Sequence, residues 1–342
     1  MGVKIGDIVA KKEVDISFFS GKKIAIDAHN YIYQFLTTIR DRETGEPLKD
    51  EKGRITSHIS GLFYRTINLI ENGIKPILVF DGKPPEFKKF TLEIREKRKE
   101  EAEKKWLEAL EAGEEAKKYA QAASRLSDDM VKECKELLDY MGVNYLDALS
   151  EGEAQCAFMC KKSFVDYSCS QDFDSLLFGS PFLARNLSLT GKRKLPGKEI
   201  YIEVKPEIIS LEETLKNNDI TQEQLIIIGI LIGTDYNVDG IKGIGIKTAL
   251  KLVKEYKTLD RILKVVKWEF DIDPFSILEF FKNPPVIENI ELKQKEIDRE
   301  KVIKFMVDER NFSLERVEKY IEILENSLKK GRQVGLASFF KK

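Results

Sequence analysis

Two aspartates bracket a phenylalanine in the stretch SQDFDSLLFG, where Asp172 and Asp174 come directly before an apolar run. If the chain is extended there, the two side chains face the same way, with Cα atoms about 6.5–7 Å apart. This spacing suits two cations about 3.5–4 Å apart, the separation used in two-metal phosphoryl chemistry. On these residues alone, a second interpretation stays open, in which the pair caps a helix that follows a strand.

Five further acidic residues lie at the ends or edges of apolar segments: Asp27, Asp81, Glu151, Glu153 and Asp235. Each has a structural alternative, since Ser150 with Glu153 has the spacing of a capping box and Asp235 suits a turn. Seven carboxylates brought together without cations would repel one another and raise one another's pKa values. Oxygen ligands, in a chain with only 2 histidines, favour Mg²⁺ or Mn²⁺ over Zn²⁺. The set therefore predicts metal-assisted hydrolysis of a phosphate ester.

The segments that carry the first of these acids have the pattern of a parallel sheet. KKIAIDA (22–28) and KPILVFDG (75–82) read as buried strands with Asp27 and Asp81 at their carboxyl ends. YIYQFLTTI and SHISGLFYRTINLIENG between them read as helices, with Gly73 as a stop signal. In such βαβ units, ligands bind outside the carboxyl ends of the strands. The aspartates are therefore expected at the binding edge of the sheet.

Residues 84–128 form a charge-rich helical segment, with basic residues concentrated near Asp81. A solvated helical excursion is the usual meaning of such a charge run. After it the strand–helix pattern resumes, and from residue 221 onward the chain is mainly helical. We predict an α/β fold with a mostly parallel central sheet flanked by helices.

The composition restricts how the chain binds its partners. Of its 342 residues, 57 are Lys or Arg and 58 are Asp or Glu, so the net charge is −1. This balance argues against a protein that binds nucleic acid by bulk positive charge alone. The 4 cysteines lack zinc-site spacing and are expected to be buried thiols. No apolar run approaches the ~18 residues of a membrane span, so we expect an intracellular protein that does not contact a membrane.

The stretch GIKGIGIKTALKLVKEY (240–256) matches a helix–hairpin–helix. Gly243 and Gly245 would let backbone N–H groups approach a phosphate at a helix N-terminus, without reading sequence. Lys242 and Lys247 add positive charge. The alternative is a tight turn between two packed helices.

The C-terminal stretch KKGRQVGLASFFKK ends in a pattern of one glutamine, one apolar residue and two aromatic residues, formed by Gln333, Leu336, Phe339 and Phe340. Adjacent exposed phenylalanines are a liability unless they dock. They either pack back on their own domain or form a short peptide that folds onto a partner.

Taken in order, seven motifs resemble the structure-specific 5′ flap endonuclease family, in particular its archaeal members, over essentially the whole chain: AIDAHNYIYQFL, VFDGKPPEFK, SEGEAQ, SQDFDSLLFG, GTDYN, GIKGIGIKTA and QVGLASFF. The resemblance implies a PIN-like nuclease that cuts branched DNA near a junction, in Okazaki fragment maturation and long-patch base excision repair. Related nucleases that cut Holliday junctions or repair bubbles, and a clamp-binding DNA scaffold without catalysis, are the alternatives.

By resemblance, two divalent ions are bound. Asp81, Glu151 and Glu153 would hold the first, with Asp27 acting through water. The second would be held by Asp172, Asp174 and Asp235. Mg²⁺ is the expected metal, and Mn²⁺ a substitute.

The resemblance also implies how DNA is held. Lys88 and Arg95 would bind the scissile phosphate, and Tyr33 would stack on a neighbouring base. The charged segment would be a helical arch that receives the 5′ flap, and Gly2 would lie near the site. The hairpin would bind duplex DNA with a K⁺ ion, and the tail would bind the trimeric sliding clamp (PCNA). His29 departs from the motif, and a packing or hydrogen-bonding role is expected for it.

The resemblance divides the chain into a monomeric nuclease core, residues 1–330, and a flexible clamp-binding tail, residues 331–342. Within the core, residues 1–128 would be the N-terminal nuclease region with the arch at about 84–128. Residues 129–235 would be the internal nuclease region, and residues 236–330 the hairpin and helical region.

Overall fold

The computed structural model describes residues 2–41, 44–111, 121, 124–187, 191–194, 201–293 and 295–339. The strands in these ranges are β1 (Ala10–Glu13), β2 (Lys23–Asp27), β3 (Lys75–Phe80), β4 (Tyr145–Asp147), β5 (Tyr167–Cys169), β6 (Phe182–Arg185), β7 (Gly191–Lys194), β8 (Tyr201–Val204) and β9 (Glu207–Ser210). Seven of them form one sheet in the order β1-β9-β6-β5-β2-β3-β4, while β7 and β8 pair separately.

The centre of this sheet is parallel, as the sequence predicts. Strands β6, β5, β2, β3 and β4 run in one direction, and only β9 and β1 add antiparallel pairs at one edge. The predicted α/β fold with a mostly parallel sheet is therefore confirmed. The two antiparallel strands were not predicted, because AKKE and EIIS are short and β1 is almost entirely exposed.

The α-helices of the described residues are α1 (Ala28–Thr38), α2 (Ser57–Glu71), α3 (Lys89–Glu111), α4 (Asp128–Met141), α5 (Gly152–Lys161), α6 (Asp174–Leu177), α7 (Leu211–Asn218), α8 (Gln222–Ile232), α9 (Ile246–Tyr256), α10 (Leu259–Ile262), α11 (Pro274–Lys282), α12 (Arg299–Ile303) and α13 (Leu314–Phe339). Short 3₁₀ turns cover Ile16–Phe19 and Glu86–Lys88, and a π-helical turn covers Lys304–Asp308.

Alternate residues of the central strands bury opposite faces of the sheet. Ile24 and Ile26 of β2 pack in one cluster with α1, α2, α4 and α13, whereas Ala25 packs in another with α5. Because side chains alternate along a strand, the sheet lies between two helical layers. Helix α8 is apolar all round and almost wholly buried, as expected for a helix inside a third cluster.

The charged segment is helical over α3, which begins directly after the Glu86–Lys88 turn. The apex of the expected arch lies outside the described residues. The backbone of α13 is helical as far as Phe339, whereas the sequence suggested a flexible tail from residue 331; Phe340 lies outside the described residues. The local sequence is free of proline and contains lysine, glutamine, leucine and alanine, which permit a helix to continue.

Cys134, Cys156, Cys160 and Cys169 are buried and unpaired. Burial raises the pKa of every one of these thiols, and that of Cys169 to about 12. Among the described residues, no helix combines the length and the apolar character that crossing a membrane requires.

Candidate metal centre

The sheet order brings the predicted acidic residues to one edge. Asp27 ends β2 and Asp81 follows β3, while Glu151 precedes α5. Asp174 opens α6, which follows β5. Because β5, β2, β3 and β4 are parallel neighbours, their carboxyl ends point the same way.

Asp235 reaches this edge from the turn after α8. Asn237 holds that turn from inside: its Oδ1 accepts the Thr234 hydroxyl at 2.7 Å, and its Nδ2 donates to the Ile230 carbonyl at 2.7 Å. Asn237 and Thr234 are buried, so the network fixes the backbone while Asp235 remains half-buried beside the other acids. All seven predicted carboxylates thus share one region.

The structure does not support helix capping as the role of Glu151 with Glu153, or of Asp172 with Asp174. Glu151 is the N-cap of α5 and makes no side-chain capping hydrogen bond, and the Ser150 hydroxyl has no partner. Phe173, not an aspartate, is the N-cap of α6. Only Asp27 caps a helix, since its Oδ1 accepts the Asn30 N–H at 3.1 Å. Most of these acids are therefore not explained by helix capping.

The backbone at Asp172 and Asp174 is not the extended strand that was considered from their spacing. Strand β5 ends at Cys169, residues 171–173 form a bend, and Asp174 is already helical. The bend is stabilised by side chains, since the Ser170 hydroxyl accepts the Asp172 N–H at 3.2 Å. The two carboxylates nonetheless both turn toward the N-terminal segment: Gly2 N donates to Asp172 at 3.1 Å and Val3 N to Asp174 at 2.9 Å.

Burial and mutual repulsion raise the pKa values of these acids. Burial, together with the negative charges of Asp235 and Asp172, raises the pKa of Asp174 to about 8. The pKa of Asp27 is raised by burial and then by Asp81, and that of Glu153 by burial and then by Asp174. These are the shifts expected where carboxylates gather without compensating charge.

Two basic side chains reach into the cluster from the start of the charged segment. Lys88 Nζ lies 2.6 Å from Glu151 Oε2 and 3.6 Å from Asp235 Oδ2, and the lysine is 8% exposed. Arg95, two helical turns later, forms an ion pair with Asp235. Burial alone would lower the pKa of Lys88, but the charges of Glu151 and Asp235 raise it overall. Lys88 therefore stays an ammonium among the carboxylates.

Glycines permit the close approach of the chain to the carboxylates. A Cβ on Gly2 would lie 2.7 Å from Asp172 Cγ and 2.8 Å from Asp174 Oδ2. A Cβ on Gly152 would lie 2.9 Å from Asp81 Oδ1, which accepts the Gly152 N–H at 2.6 Å. Both sites exclude a side chain for steric reasons. Gly2 was expected beside the site, whereas Gly152 was not predicted to be part of it.

The donor set fits divalent cations such as Mg²⁺. All seven side chains offer oxygen, and the buried Oε1 atom of Glu151 has no hydrogen-bond partner. Across the described residues, no three His, Cys, Asp or Glu side chains already surround a common point as metal ligands would. Instead the ammonium of Lys88 lies against Glu151 and Asp235.

His29 and Tyr33 lie on α1, next to the cluster. His29 Nδ1 accepts the Asp81 backbone N–H at 3.1 Å, which leaves Nε2 as the protonated nitrogen. Its ring also packs edge-on against Phe80, with centroids 6.0 Å apart. Tyr33 is half-buried, and burial raises its pKa although Arg40 and Arg95 act in the opposite direction.

The predicted hairpin has an open, basic surface. Gly243 adopts a φ of +83°, and a Cβ on either Gly243 or Gly245 would meet nothing within 4 Å. Gly245 is the N-cap of α9, whose first turns carry the exposed Lys247 and Lys251; Lys242 is also exposed. The hairpin backbone is therefore accessible.

The chain matches two family models, the XPG N-terminal domain over residues 1–102 and the XPG I-region over residues 142–235. It is 56% identical over 344 residues to Flap endonuclease 1 of Pyrococcus furiosus, covering 100% of both proteins. The chain belongs to the flap endonuclease 1 family.

Solved structures support the family fold. The flap endonuclease of Methanococcus jannaschii matches with a TM-score of 0.76 and 42% identity, covering 96% of this chain and 99% of that one. The catalytic core of Rad2 in complex with a DNA substrate matches with a TM-score of 0.70 at 24% identity, covering 96% of this chain and 100% of that one. That second likeness concerns the fold alone.

Asn30 is a further residue of the site that was not predicted from the sequence. Asn30 Nδ2 donates to Asp172 Oδ2 at 3.1 Å, although 142 positions separate the two residues. The only local signal was its position three residues after Asp27, where its N–H meets the capping carboxylate. A neutral amide in a helix carries no charge pattern that would mark it as part of the site.

Proposed function

We propose that this chain is a nuclease that cuts branched DNA at the base of a 5′ flap and also degrades DNA from 5′ ends. The observation that carries the proposal is the gathering of seven carboxylates with Lys88 and Arg95 at the carboxyl edge of a parallel sheet. The family assignment points to the same reaction. We propose that this chain acts inside the cell in Okazaki fragment maturation and long-patch base excision repair.

The proposed cofactor is a pair of Mg²⁺ ions, for which Mn²⁺ can substitute. Asp81, Glu151 and Glu153 would hold the first ion, with Asp27 acting through water. Asp172, Asp174 and Asp235 would hold the second ion. When bound, the ions supply activation of water for in-line attack and neutralisation of charge on the phosphate.

The basic residues would serve the phosphate in this reaction. In the DNA-free chain, Lys88 and Arg95 are paired with Glu151 and Asp235. We propose that they transfer to the scissile phosphodiester, where a fixed positive charge stabilises the charge that develops in the transition state. Tyr33 would stack on the adjacent base, since aromatic rings bind bases through their faces without reading sequence.

Other parts of the chain would hold the rest of the substrate. Helix α3 would form one side of an arch for the single-stranded flap. The hairpin at Lys242, Gly243, Gly245 and Lys247 would bind duplex DNA through its backbone, with K⁺ as the proposed ion. The stretch from Gln333 to Phe340 would bind a trimeric sliding clamp, and the enzyme alone would be a monomer.

The test is a cleavage-site map on a double-flap DNA substrate with Mg²⁺ and with EDTA. We expect cutting near the junction, 5′-phosphate and 3′-hydroxyl ends, and no product in EDTA. Asp174→Ala should abolish cleavage while flap-DNA binding survives, because the change removes a ligand and not a DNA contact. Asp219→Ala, which alters an exposed turn after α7, is the matched control.

Undiminished cleavage by Asp174→Ala would contradict the metal assignment. Preferential cutting of a four-way junction or a bubble would instead indicate a related junction or repair nuclease. Tight flap binding by the wild type without any cleavage in Mg²⁺ or Mn²⁺ would indicate a scaffold.

A further inference from the structure

Asn30, in the first turn of α1, contacts two of the proposed ligand segments at once. Its backbone N–H donates to Asp27 Oδ1 at 3.1 Å. Its side-chain Nδ2 donates to Asp172 Oδ2 at 3.1 Å, and its Oδ1 accepts the backbone N–H of Gln171 at 3.2 Å. One residue therefore joins the end of β2 to the bend that follows β5.

The bend needs such a connection because the negative charge of Asp172 is repelled by the neighbouring carboxylates. The negative charge of Asp172 is among the causes that raise the pKa values of Asp27 and Asp174. Residues 171–173 lie outside regular secondary structure, so no helix or sheet ladder holds the backbone there. A half-buried carboxylate in this position would turn toward water unless a donor held it toward the cluster.

The character of the donor matters as much as its position. Lys88 pairs with Glu151 through a positive charge, which partly cancels the negative charge that attracts a metal ion. The amide of Asn30 is neutral, so it fixes Asp172 without cancelling the charge that attracts a cation. Asp172 Oδ1 accepts the Gly2 N–H and Oδ2 accepts Asn30, and each carboxylate oxygen can accept a second partner. Asp172 thus remains able to bind a metal while it is held in place.

We propose that Asn30 is a positioning residue: its side-chain amide fixes the Asp172 carboxylate relative to Asp27 and thereby sets the metal affinity of the second subsite. The inference rests on the proposed two-metal hydrolysis of DNA. Asn30 acts through Asp172 and contacts neither metal nor DNA in this role. Hydrogen-bond partners of metal ligands typically change metal affinity by about 10- to 100-fold when they are removed.

The experiment compares wild type with Asn30→Ala and Asn30→Leu in the full chain. Alanine removes both side-chain hydrogen bonds, and leucine removes them while roughly keeping the volume. Mn²⁺ binding is titrated without DNA by electron paramagnetic resonance. We expect one of two sites to weaken by about 10- to 100-fold in both variants. The Mg²⁺ concentration for half-maximal single-turnover cleavage of a 5′-flap substrate should rise similarly, and saturating Mg²⁺ should restore the rate.

Two further measurements separate this role from a folding defect. Amide hydrogen exchange of the Gln171 N–H, measured without metal, should be faster in both variants because its acceptor is gone. Asn68→Ala, which changes an exposed asparagine of α2, should leave Mn²⁺ binding as in wild type. If the alanine variant fails to fold, the leucine variant decides.

Mn²⁺ titrations of both variants that superimpose on the wild-type curve would overturn the inference, and so would a rate loss that persists at saturating Mg²⁺. If wild type cleaves flaps and the variants share its Mg²⁺ dependence, only the role of Asn30 fails. Failure of wild type itself to cleave would overturn the proposed function instead.

Discussion

The positive charge of Lys88 has two competing roles, one toward Glu151 and one toward the proposed phosphate. Its ammonium lies 2.6 Å from Glu151 and is almost completely buried. A cation that binds Glu151 through its other oxygen, Oε1, is repelled by this charge, and the proposed phosphate contact requires the ammonium to leave the carboxylate. The lysine therefore opposes metal loading in the absence of DNA and assists the reaction in its presence.

Lys88→Met should separate these two effects. We expect Mn²⁺ to bind the DNA-free protein roughly 5-fold more tightly, since a competing charge worth about 1 kcal/mol is removed. Single-turnover cleavage should fall by about 100-fold or more, because a transition-state contact is lost. Isothermal titration with Mn²⁺ and quenched-flow cleavage measure the two quantities.

Lys89→Met is the control, because Lys89 is the exposed neighbour of Lys88. It should change neither quantity appreciably. Weaker Mn²⁺ binding by Lys88→Met would show that the ammonium does not compete with the metal, and an unchanged cleavage rate would remove Lys88 from the reaction.

Glu133 of α4 connects three parts of the fold behind the sheet. Its Oε2 lies 2.9 Å from His58 Nε2 on α2, and its Oε1 accepts from Arg310 at 2.6 Å, just past the π-helical turn. His58 and Arg310 are both buried. Burial would raise the pKa of Glu133, but the hydrogen bonds from His58 and Arg310 lower it overall.

The lowered pKa gives a pH-dependent stability. The ionised form of Glu133 is more stable in the folded chain than in the unfolded chain, in which the pKa of this side chain is near 4.5. The contribution is therefore present above that pH and is lost as the pH falls below it. Glu133→Gln should lower the free energy of unfolding by about 1–3 kcal/mol at pH 7, since a charged hydrogen-bond partner is removed. Urea unfolding at pH 7 and at lower pH measures the difference, which should narrow toward acid.

Glu136→Gln on the same helix is the comparison, because Glu136 is exposed and bonds only to Tyr140 in the described contacts. A destabilisation by Glu133→Gln that is equally large at acid pH would contradict the charge-based explanation.

The helices and strands that the sequence predicted share a strong local pattern. Apolar runs such as those of β2 and β3 have the composition of buried strands wherever they occur, and Gly73 ends α2 through its φ of +80°. Strand β1 could not be predicted, since its polar residues belong to a strand only because β9 pairs with it.

The acidic residues of the site were predictable for a related reason, because each lies at the end or edge of an apolar segment. Their partners were not. Asn30 meets Asp172, and Lys88 meets Glu151, only after the sheet has aligned segments far apart in the chain. The bend at residues 171–173 also replaced the extended backbone that the spacing suggested, because side-chain hydrogen bonds hold it.

At the scale of the whole molecule, the part of α13 that is buried in the core precedes the segment proposed to bind the clamp. Val317, Ile321 and Leu324 bury the first part of α13 in the same cluster as α2. The residues proposed to bind the clamp begin only at Gln333. We therefore expect that the end of the helix can be removed without opening the core.

Deletion of residues 333–342 should abolish stimulation by a trimeric sliding clamp and leave intrinsic cleavage unchanged. Flap cleavage with and without the clamp, together with the melting temperature, measures this. Phe339→Ala combined with Phe340→Ala should reproduce the loss, whereas Lys341→Ala should not. Stimulation that survives the deletion would contradict the role of this segment.

The four buried cysteines have a practical consequence for observing this molecule in motion. Since only the thiolate reacts readily with maleimides, thiols whose pKa values are raised by burial will be slow to react under native conditions. A cysteine introduced at the exposed Lys104 of α3, and another on the hairpin at Lys251, would then take up fluorophores selectively in the unaltered background. The distance between arch and hairpin during DNA capture becomes accessible to single-molecule fluorescence without first removing any native cysteine.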